Sequence, residues 1–137
     1  MATYNKFNAL IADAFNGVHD FSTDTFKFML TLTAPVATNS VKTDLTEIAA
    51  GNGYTAGGTA VAITSSTQTS GTLSVVPTAD VVFTATGTVA DFRYVVLYND
   101  TAVGDNLISW WDRGSTVSLQ NTDTFTVDVG ATLFTAS

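Results

Sequence analysis

The sequence has 137 residues, a formal charge of −7 and charged side chains at only 12% of its positions. Its five Lys and Arg residues form no run that would neutralise phosphates, which excludes nucleic acid and anionic membrane as expected partners. The absence of cysteine excludes disulfides, thiolate metal ligands and cysteine nucleophiles, so packing alone must stabilise the fold.

Threonine is abundant, with 25 copies, and this β-branched residue fits a pleated strand better than a helix. The length suits one domain. We therefore predict a single all-β domain over residues 1–137. It comprises an N-terminal helix or arm at 1–18 and an antiparallel β-sandwich or jelly-roll-like barrel at 24–137.

The first predicted element is an amphipathic helix over residues 4–18. Apolar side chains recur there at steps of three and four residues: Tyr4, Phe7, Leu10, Ile11, Ala14, Phe15 and Val18. Thr3 is a candidate N-cap, and Gly17 is a candidate stop. The apolar stripe either covers an open side of the β-domain or reaches a neighbouring subunit.

The next predicted element is a half-buried strand over residues 24–33. Its side chains alternate, with the inward set expected to be Phe26, Phe28, Leu30 and Leu32, and the outward set Lys27, Thr31 and Thr33. Pro35 follows and ends the strand. A single helical turn is expected at 43–48, and then a glycine-rich turn at 51–58 in which Tyr54 packs.

A hairpin over residues 89–114 is predicted to form the centre of the domain. In its first strand both alternating sets are apolar, with Phe92, Tyr94, Val96 and Tyr98 on one face and Val95 and Leu97 on the other. A strand with two apolar faces is expected in the middle of its sheet. Trp110 and Trp111 on the second strand must face opposite ways, so one of them is a candidate for a surface contact.

Six further short strands are expected, at residues 59–64, 71–76, 80–86, 116–120, 124–129 and 131–135. Residues 65–70, which are mostly Ser and Thr, are interpreted as a loop tip. Regular short strands of this kind are typical of a sandwich or small barrel.

No constellation of residues in the sequence indicates catalysis. His19 is the only histidine, and a cap or a bond to Asp20 is expected for it instead of a catalytic relay. Glu47 is the only glutamate, which argues against a pair of glycosidase carboxylates. The turn at 99–105 lacks the ligand pattern of a calcium loop. We therefore expect no enzymatic activity, no cofactor and no metal site.

Seven segments carry a recognisable pattern: YNKFN at 4–8, GVHDFSTDTFKFML at 17–30, TAPVATNS at 33–40, LTEIAAGNGYTAGG at 45–58, DVVFTATG at 80–87, FRYVVLYNDTAVGDNLISWWDRG at 92–114 and DTFTVDV at 123–129. Together they resemble a family of small structural proteins of tailed bacteriophages and prophages. The resemblance spans nearly the whole chain. It implies a virion component, and capsid decoration in particular, and it transfers no catalytic residue.

The expected function is therefore that of a capsid decoration or cement protein, which binds the outside of the phage head and stabilises capsomer junctions. The expected partners are the major capsid protein and further copies of the chain, a homotrimer ahead of a dimer. Contacts are expected at five apolar side chains: Phe7, Ile11, Phe15, Trp110 and Trp111. The resemblance implies a location in the virion, after synthesis in the bacterial cytoplasm. The sequence lacks a signal-peptide core and an apolar run of roughly 20 residues, so export by a signal peptide is not expected.

The alternative is a head-fibre, neck or tail component that binds carbohydrate on the host surface. Trp110 and Trp111, with Tyr94 and Tyr98 nearby, would then form an aromatic platform for a sugar ring. Core and subunit-interface roles are favoured for these rings over the platform.

Overall fold

The computed structural model describes residues 3–130 and 133–136, and within them the chain is mostly β-strand with one short α-helix. The elements in chain order are β1 (Thr3–Lys6), α1 (Ala9–Phe15), β2 (Phe26–Thr31), a 3-10 helix (Lys42–Asp44), β3 (Thr59–Val61), β4 (Ile63–Thr69), β5 (Thr72–Pro77), β6 (Val81–Thr84), β7 (Phe92–Asn99), β8 (Leu107–Val117), β9 (Thr124–Val127) and β10 (Phe134–Ala136). The strands pair in antiparallel fashion. The predicted all-β sandwich with a short helix is confirmed.

The described strands form three sheets. The largest has the order β1-β8-β7-β2-β3, and the smaller two have the orders β10-β5-β4 and β6-β9. β7 lies in the middle of the five-stranded sheet, where it pairs with β8 on one side and with β2 on the other. Its central position confirms the prediction made from its two apolar faces.

The larger hydrophobic core joins one face of the five-stranded sheet to the smaller sheets. Phe28, Leu97 and Ile108 contribute from the large sheet, and Val75 and Phe83 contribute from β5 and β6. Burying each such side chain stabilises the fold by about 1.5–3 kcal/mol relative to leaving it in water.

A second core covers the opposite face of the five-stranded sheet. Its buried members are Phe7, Met29, Leu45, Val96, Tyr98, Leu107 and Trp110. Phe7 lies between β1 and α1, and Leu45 directly follows the 3-10 helix, which is where a helical turn was predicted. Two segments from outside the sheet therefore cover this face, and the central hairpin is packed on both sides.

The predicted helix over residues 4–18 is wrong in its first half. Residues 3–6 form an edge strand that pairs with β8, placing Tyr4 opposite Trp111, and the helix begins only at Ala9. The apolar spacing of Tyr4 and Phe7 reflects a different contact, because their rings lie 5.5 Å from Trp111 and 4.5 Å from Trp110. A partner so distant in sequence leaves no signal in local periodicity.

The predicted burial pattern of β2 fails at its end. Leu32 is 51% exposed, whereas Thr31 is fully buried. The strand ends at Thr31, whose hydroxyl donates to the carbonyl oxygen of Thr46 at 2.5 Å and accepts from the backbone N–H of Thr33 at 3.0 Å. Leu32 therefore lies beyond the ladder that would have directed it inward.

Three further predictions on strands also need correction. The strand predicted at 116–120 is not a separate element, because β8 continues without a break to Val117. Phe92 joins the core that contains Val95 and Leu97, not the face of Val96, because the β7–β8 register shifts between Phe92 and Tyr94. Such a shift reverses the side to which the next side chain points. Residues 65–70 are not a loop tip, because β4 continues to Thr69. Of the strand predicted at 131–135, residues 131 and 132 lie outside the described part of the chain.

The glycine-rich turn at 51–58 is confirmed. Gly51, Gly53, Gly57 and Gly58 all have positive φ angles, and Tyr54 is buried between them. The Tyr54 hydroxyl donates to Glu47 Oε1 at 2.6 Å and accepts from the backbone N–H of Leu30. The only glutamate of the chain is thus engaged in holding this turn against β2.

Candidate docking surface

Two of the five predicted contact residues are core residues. Phe7 is fully buried, and Trp110 is 8% exposed, with its ring centroid 4.5 Å from that of Phe7 and the two ring planes tilted by 42°. In this conformation neither side chain offers surface to a partner. We therefore remove both from the candidate contact residues, which leaves Ile11, Phe15 and Trp111.

Trp111 points to the opposite face of β8, as the alternation of a strand requires. It is half-buried, and its ring contacts the rings of Phe28 at 5.7 Å and Tyr4 at 5.5 Å. Trp110 and Trp111 thus serve the two opposite cores, and the proposed four-ring platform with Tyr94 and Tyr98 does not form, because Tyr98 is fully buried.

Helix α1 presents its last residue to solvent. Leu10 anchors the helix in the larger core, Ile11 is half-buried, and Phe15 is 87% exposed. A phenylalanine this exposed loses the benefit of burial, since an aromatic side chain buries 150–250 Å² when it is packed. Phe15 is therefore the strongest contact candidate among the residues identified from sequence.

The loop between β7 and β8 adds a second exposed apolar side chain. Val103 is fully exposed at its tip. Sequence analysis assigned these residues to a turn and did not single out Val103. The available signal was a valine inside an otherwise polar and glycine-containing segment, which has no local structural need for it.

A hydrogen bond holds α1 against the β7–β8 loop. Asn106 Nδ2 donates to Asp13 Oδ2 at 3.0 Å. Asp13 lies two positions before Phe15 in the sequence, and Asn106 lies three positions after Val103. The hydrogen bond therefore brings the helix that carries Phe15 next to the loop that carries Val103. We call Phe15 and Val103 together the apolar end patch.

At the base of the β7–β8 loop, the buried side chain of Asn99 connects three segments. Its Nδ2 donates to Asp24 Oδ2 at 2.7 Å and to the Val18 carbonyl oxygen at 3.2 Å. Its Oδ1 accepts the backbone N–H groups of Thr101 and Ala102 at 2.9 and 3.2 Å. The loop that carries Val103 is thus fixed at its base.

His19 belongs to the same network. Its Nδ1 lies 3.1 Å from Asn99 Nδ2, so the expected bond to Asp20 is replaced by one to Asn99. Burial lowers the pKa of His19, and the nearby carboxylates of Asp13 and Asp24 oppose this in part. Its Nε2 has no hydrogen-bond partner among the described residues.

Several of the few cations are paired within the domain. Lys27 Nζ lies 2.9 Å from Asp100 Oδ2, and Lys42 Nζ lies 3.4 Å from Glu47 Oε2. Arg93 forms a bidentate pair with Asp112, in which Nε donates to Oδ1 at 2.8 Å and Nη2 donates to Oδ2 at 2.9 Å. The Arg93 guanidinium and the backbone N–H of Gly114 lower the pKa of Asp112. The Lys27–Asp100 pair joins β2 to the β7–β8 loop, and the Arg93–Asp112 pair joins β7 to β8.

A cleft of about 640 Å³ opens beside β9. Apolar side chains form most of its lining, among them Phe28, Trp111 and Phe125, while Arg113 and Asp128 contribute charged groups. This volume and this mixture lie within the range of small-ligand sites.

Within residues 3–130 and 133–136, no three His, Asp or Glu side chains cluster as metal ligands would. In the same part of the chain, no helix is long and apolar enough to cross a membrane. Comparisons of the chain with protein-family models, with curated proteins and with solved structures found no match.

Proposed function

We propose that this chain is a structural protein of a tailed-phage virion, and that it decorates the outside of the head at capsomer junctions. The sequence resemblance supports a virion role. The single structural observation that supports docking is the apolar end patch, where Phe15 is 87% exposed and Val103 projects from a loop whose base is hydrogen-bonded.

The proposed activity is mechanical and not chemical. A decoration protein binds the assembled shell and not the separated subunits, so its binding free energy stabilises the assembled state by mass action. The two faces of the central hairpin are buried in separate cores, so the patch is supported by a stiff domain. A stiff docking surface loses less conformational entropy on binding than a mobile one.

The partners in this proposal are the major capsid protein and further copies of the chain. Exposed apolar side chains suit a protein partner, because aromatic residues are enriched at protein interfaces. The patch alone is smaller than a stable interface of roughly 1,200–2,000 Å². Binding at a junction therefore requires polar surface around the patch, or several copies acting together.

The experiment is to count copies of the chain in purified mature particles by quantitative mass spectrometry, with the major capsid protein as internal reference. A copy number comparable to that of the capsid protein is expected. A count of about a dozen or fewer would move the chain to the neck or tail, and absence from the particle would overturn the proposal.

A head-fibre or tail role with carbohydrate binding is the second candidate, and the cleft beside β9 favours it. Trp111 lies in the lining with Arg113 and Asp128, which combines an aromatic face for a sugar ring with hydrogen-bonding groups. Host-surface glycans are titrated while tryptophan fluorescence is followed. A response that Trp111→Phe abolishes would favour this role, and a flat titration would reject it.

A further inference from the structure

The edge strand β4 differs from the other described edge strands. It spans seven residues, Ile63–Thr69, whereas β1, β3, β6, β9 and β10 have three or four residues each. β5 pairs with β4 along one side, from Thr69 opposite Thr72 to Ile63 opposite Pro77. On its other side, no described strand pairs with it. A row of backbone N–H and C=O groups is therefore available there.

The β4 edge has little of the usual protection against pairing. Monomeric proteins block exposed edges with lysine, proline, β-bulges or very short strands. The sequence of β4 is ITSSTQT, which contains neither lysine nor proline. Its only irregularity is a register shift between Ile63 and Ser65 at the end near β3.

The absence of charge extends well beyond the strand. Residues 48–79 contain no Asp, Glu, Lys or Arg. Charged residues make up 12% of the chain, so a stretch of this length would ordinarily hold about four. The hairpin of β4 and β5 lies inside this stretch and is therefore an uncharged part of an otherwise acidic domain.

Charge also indicates what pairs with this edge. Each copy carries a formal charge of −7, so two copies repel each other wherever charged surfaces approach. Pairing of a strand with its own copy around a two-fold axis also places identical residues near one another, and a single charge close to the axis would be duplicated. β4 meets this condition, because Ser, Thr and Gln side chains would face Ser, Thr and Gln. Cross-strand Thr and Ser pairs of this kind are stabilising.

We infer that two copies of this chain associate through antiparallel pairing of β4 with β4, which joins two three-stranded sheets into one continuous sheet of six. Such a two-fold contact closes with two copies and leaves neither β4 edge open. The assembly is a dimer, whereas sequence analysis expected a trimer ahead of a dimer. The inference deepens the self-association in the proposed function, and it concerns the purified chain alone.

The first test is the mass of the purified chain in solution by light scattering and sedimentation. The wild type is expected at twice the monomer mass of 14.4 kDa. Thr67→Lys places a lysine on the exposed β4 edge and is expected to weaken dimerisation at least tenfold. Thr124→Lys makes the same change at an exposed position of β9 and is expected to leave the dimer intact. Circular dichroism checks that both variants are folded.

A second test locates the axis. The chain has no cysteine, so a single substitution introduces the only thiol. Ser65→Cys, Ser66→Cys and Thr67→Cys are oxidised separately, with Thr124→Cys as the control. Covalent dimer is expected to be most abundant at one β4 position, because only the residue on the axis faces its own copy. Ser66, the middle residue of β4, is the expected maximum.

Three results would overturn the inference: a monomeric or trimeric wild type, a dimer unaffected by Thr67→Lys, or equal crosslinking at β4 and β9. The copy-number experiment tests the decoration role independently of the β4 pairing. A dimer absent from particles would reject the proposed decoration role alone, and a monomer abundant on particles would reject the β4 pairing alone.

Discussion

The side-chain amide of Asn99 lies 3.1 Å from Nδ1 of His19, and this contact joins the end of β7 to the segment that follows α1. The amide nitrogen has two hydrogens for three acceptors, which are His19 Nδ1, the Val18 carbonyl oxygen and Asp24 Oδ2, so these hydrogen bonds are shared. Because the amide nitrogen can only donate, Nδ1 accepts in this contact, and the neutral imidazole carries its proton on Nε2. A proton added to Nδ1 would place two donors against each other, so the contact favours the neutral form of His19.

This arrangement predicts loss of stability in mild acid. Burial lowers the pKa of His19 in the folded chain below its ordinary value of 6.5, so the unfolded chain binds the proton first as the pH falls. The stabilising contribution is complete above pH 6.5 and is lost as the pH falls from there toward the folded-state pKa. One proton changes the free energy of unfolding by at most about 1.4 kcal/mol per pH unit.

Urea unfolding at pH 7.5 and at pH 5.5 measures this effect, and carboxylates with lowered pKa values remain ionised over this range. His19→Gln keeps a group that can accept from Asn99 but does not titrate. Its free energy of unfolding is expected to change less than that of the wild type between the two pH values. Equal changes in the two proteins would contradict a role for His19.

A second prediction concerns Asn99 itself. Asn99→Asp keeps an oxygen for the N–H groups of Thr101 and Ala102 but removes the donor to Asp24 and sets two carboxylates 2.7 Å apart. A loss of about 2–4 kcal/mol in the free energy of unfolding is expected. The matched control is Asn121→Asp at an exposed turn, with an expected change within about 0.5 kcal/mol. Similar losses in the free energy of unfolding for the two variants would show that the hydrogen bonds of Asn99 do not stabilise the loop.

Two glycines with the same backbone conformation provide the third prediction. Gly58 and Gly71 have φ angles of +79° and +81°, but a Cβ on Gly58 would lie 1.8 Å from the carbonyl oxygen of Phe28, whereas a Cβ on Gly71 would meet no atom within 4 Å. Gly71→Ala is expected to cost about 1–2 kcal/mol, the cost of a left-handed conformation alone. Gly58→Ala is expected to cost at least about 4 kcal/mol, because backbone must move. Comparable unfolding midpoints would disprove the close approach.

The two adjacent tryptophans give the fourth prediction. Trp110→Ala removes a ring that is 8% exposed and packs against the Phe7 ring, so a loss of about 3–5 kcal/mol is expected. Trp111→Ala removes a half-buried ring at the margin of the other core and is expected to cost less. The free energies of unfolding, measured in urea, decide the order. A larger loss for Trp111 would contradict the assignment of Trp110 to a core.

The sequence was sufficient to predict elements whose cause is local. The hairpin of β7 and β8 follows from two apolar runs around a polar turn, and the conformation at 51–58 follows from four glycines. The opposite orientation of Trp110 and Trp111 follows from strand alternation alone. These signals are carried by neighbouring residues, so no knowledge of tertiary partners was needed.

Features that depend on distant partners were missed. Tyr4 is in a strand because β8 offers a free edge more than 100 residues away, and Phe7 is buried because Trp110 and Leu45 surround it. The Asn99 network joins residues separated by 75 to 81 positions. Exposure of Phe15 follows from how α1 docks, which the helical spacing does not specify. The sequence therefore predicted that apolar residues would form the contact surface, but it identified only some of the exposed ones: Phe15 is exposed, whereas Phe7 and Trp110 are buried and Val103 was missed.

The last prediction separates docking from folding at the apolar end patch. Phe15→Ser and Val103→Ser remove side chains that make little contact with the rest of the chain, so each is expected to change the free energy of unfolding by less than about 0.5 kcal/mol. Combined, they are expected to weaken binding to phage heads that lack the protein at least tenfold. Leu32→Ser is the matched control, since Leu32 is a half-exposed apolar residue at the end of β2, outside the patch. If the double variant remains folded and binds heads as the wild type does, docking uses another surface. If Leu32→Ser weakens binding as much as the double variant does, the contact depends on exposed apolar area in general and not on the apolar end patch.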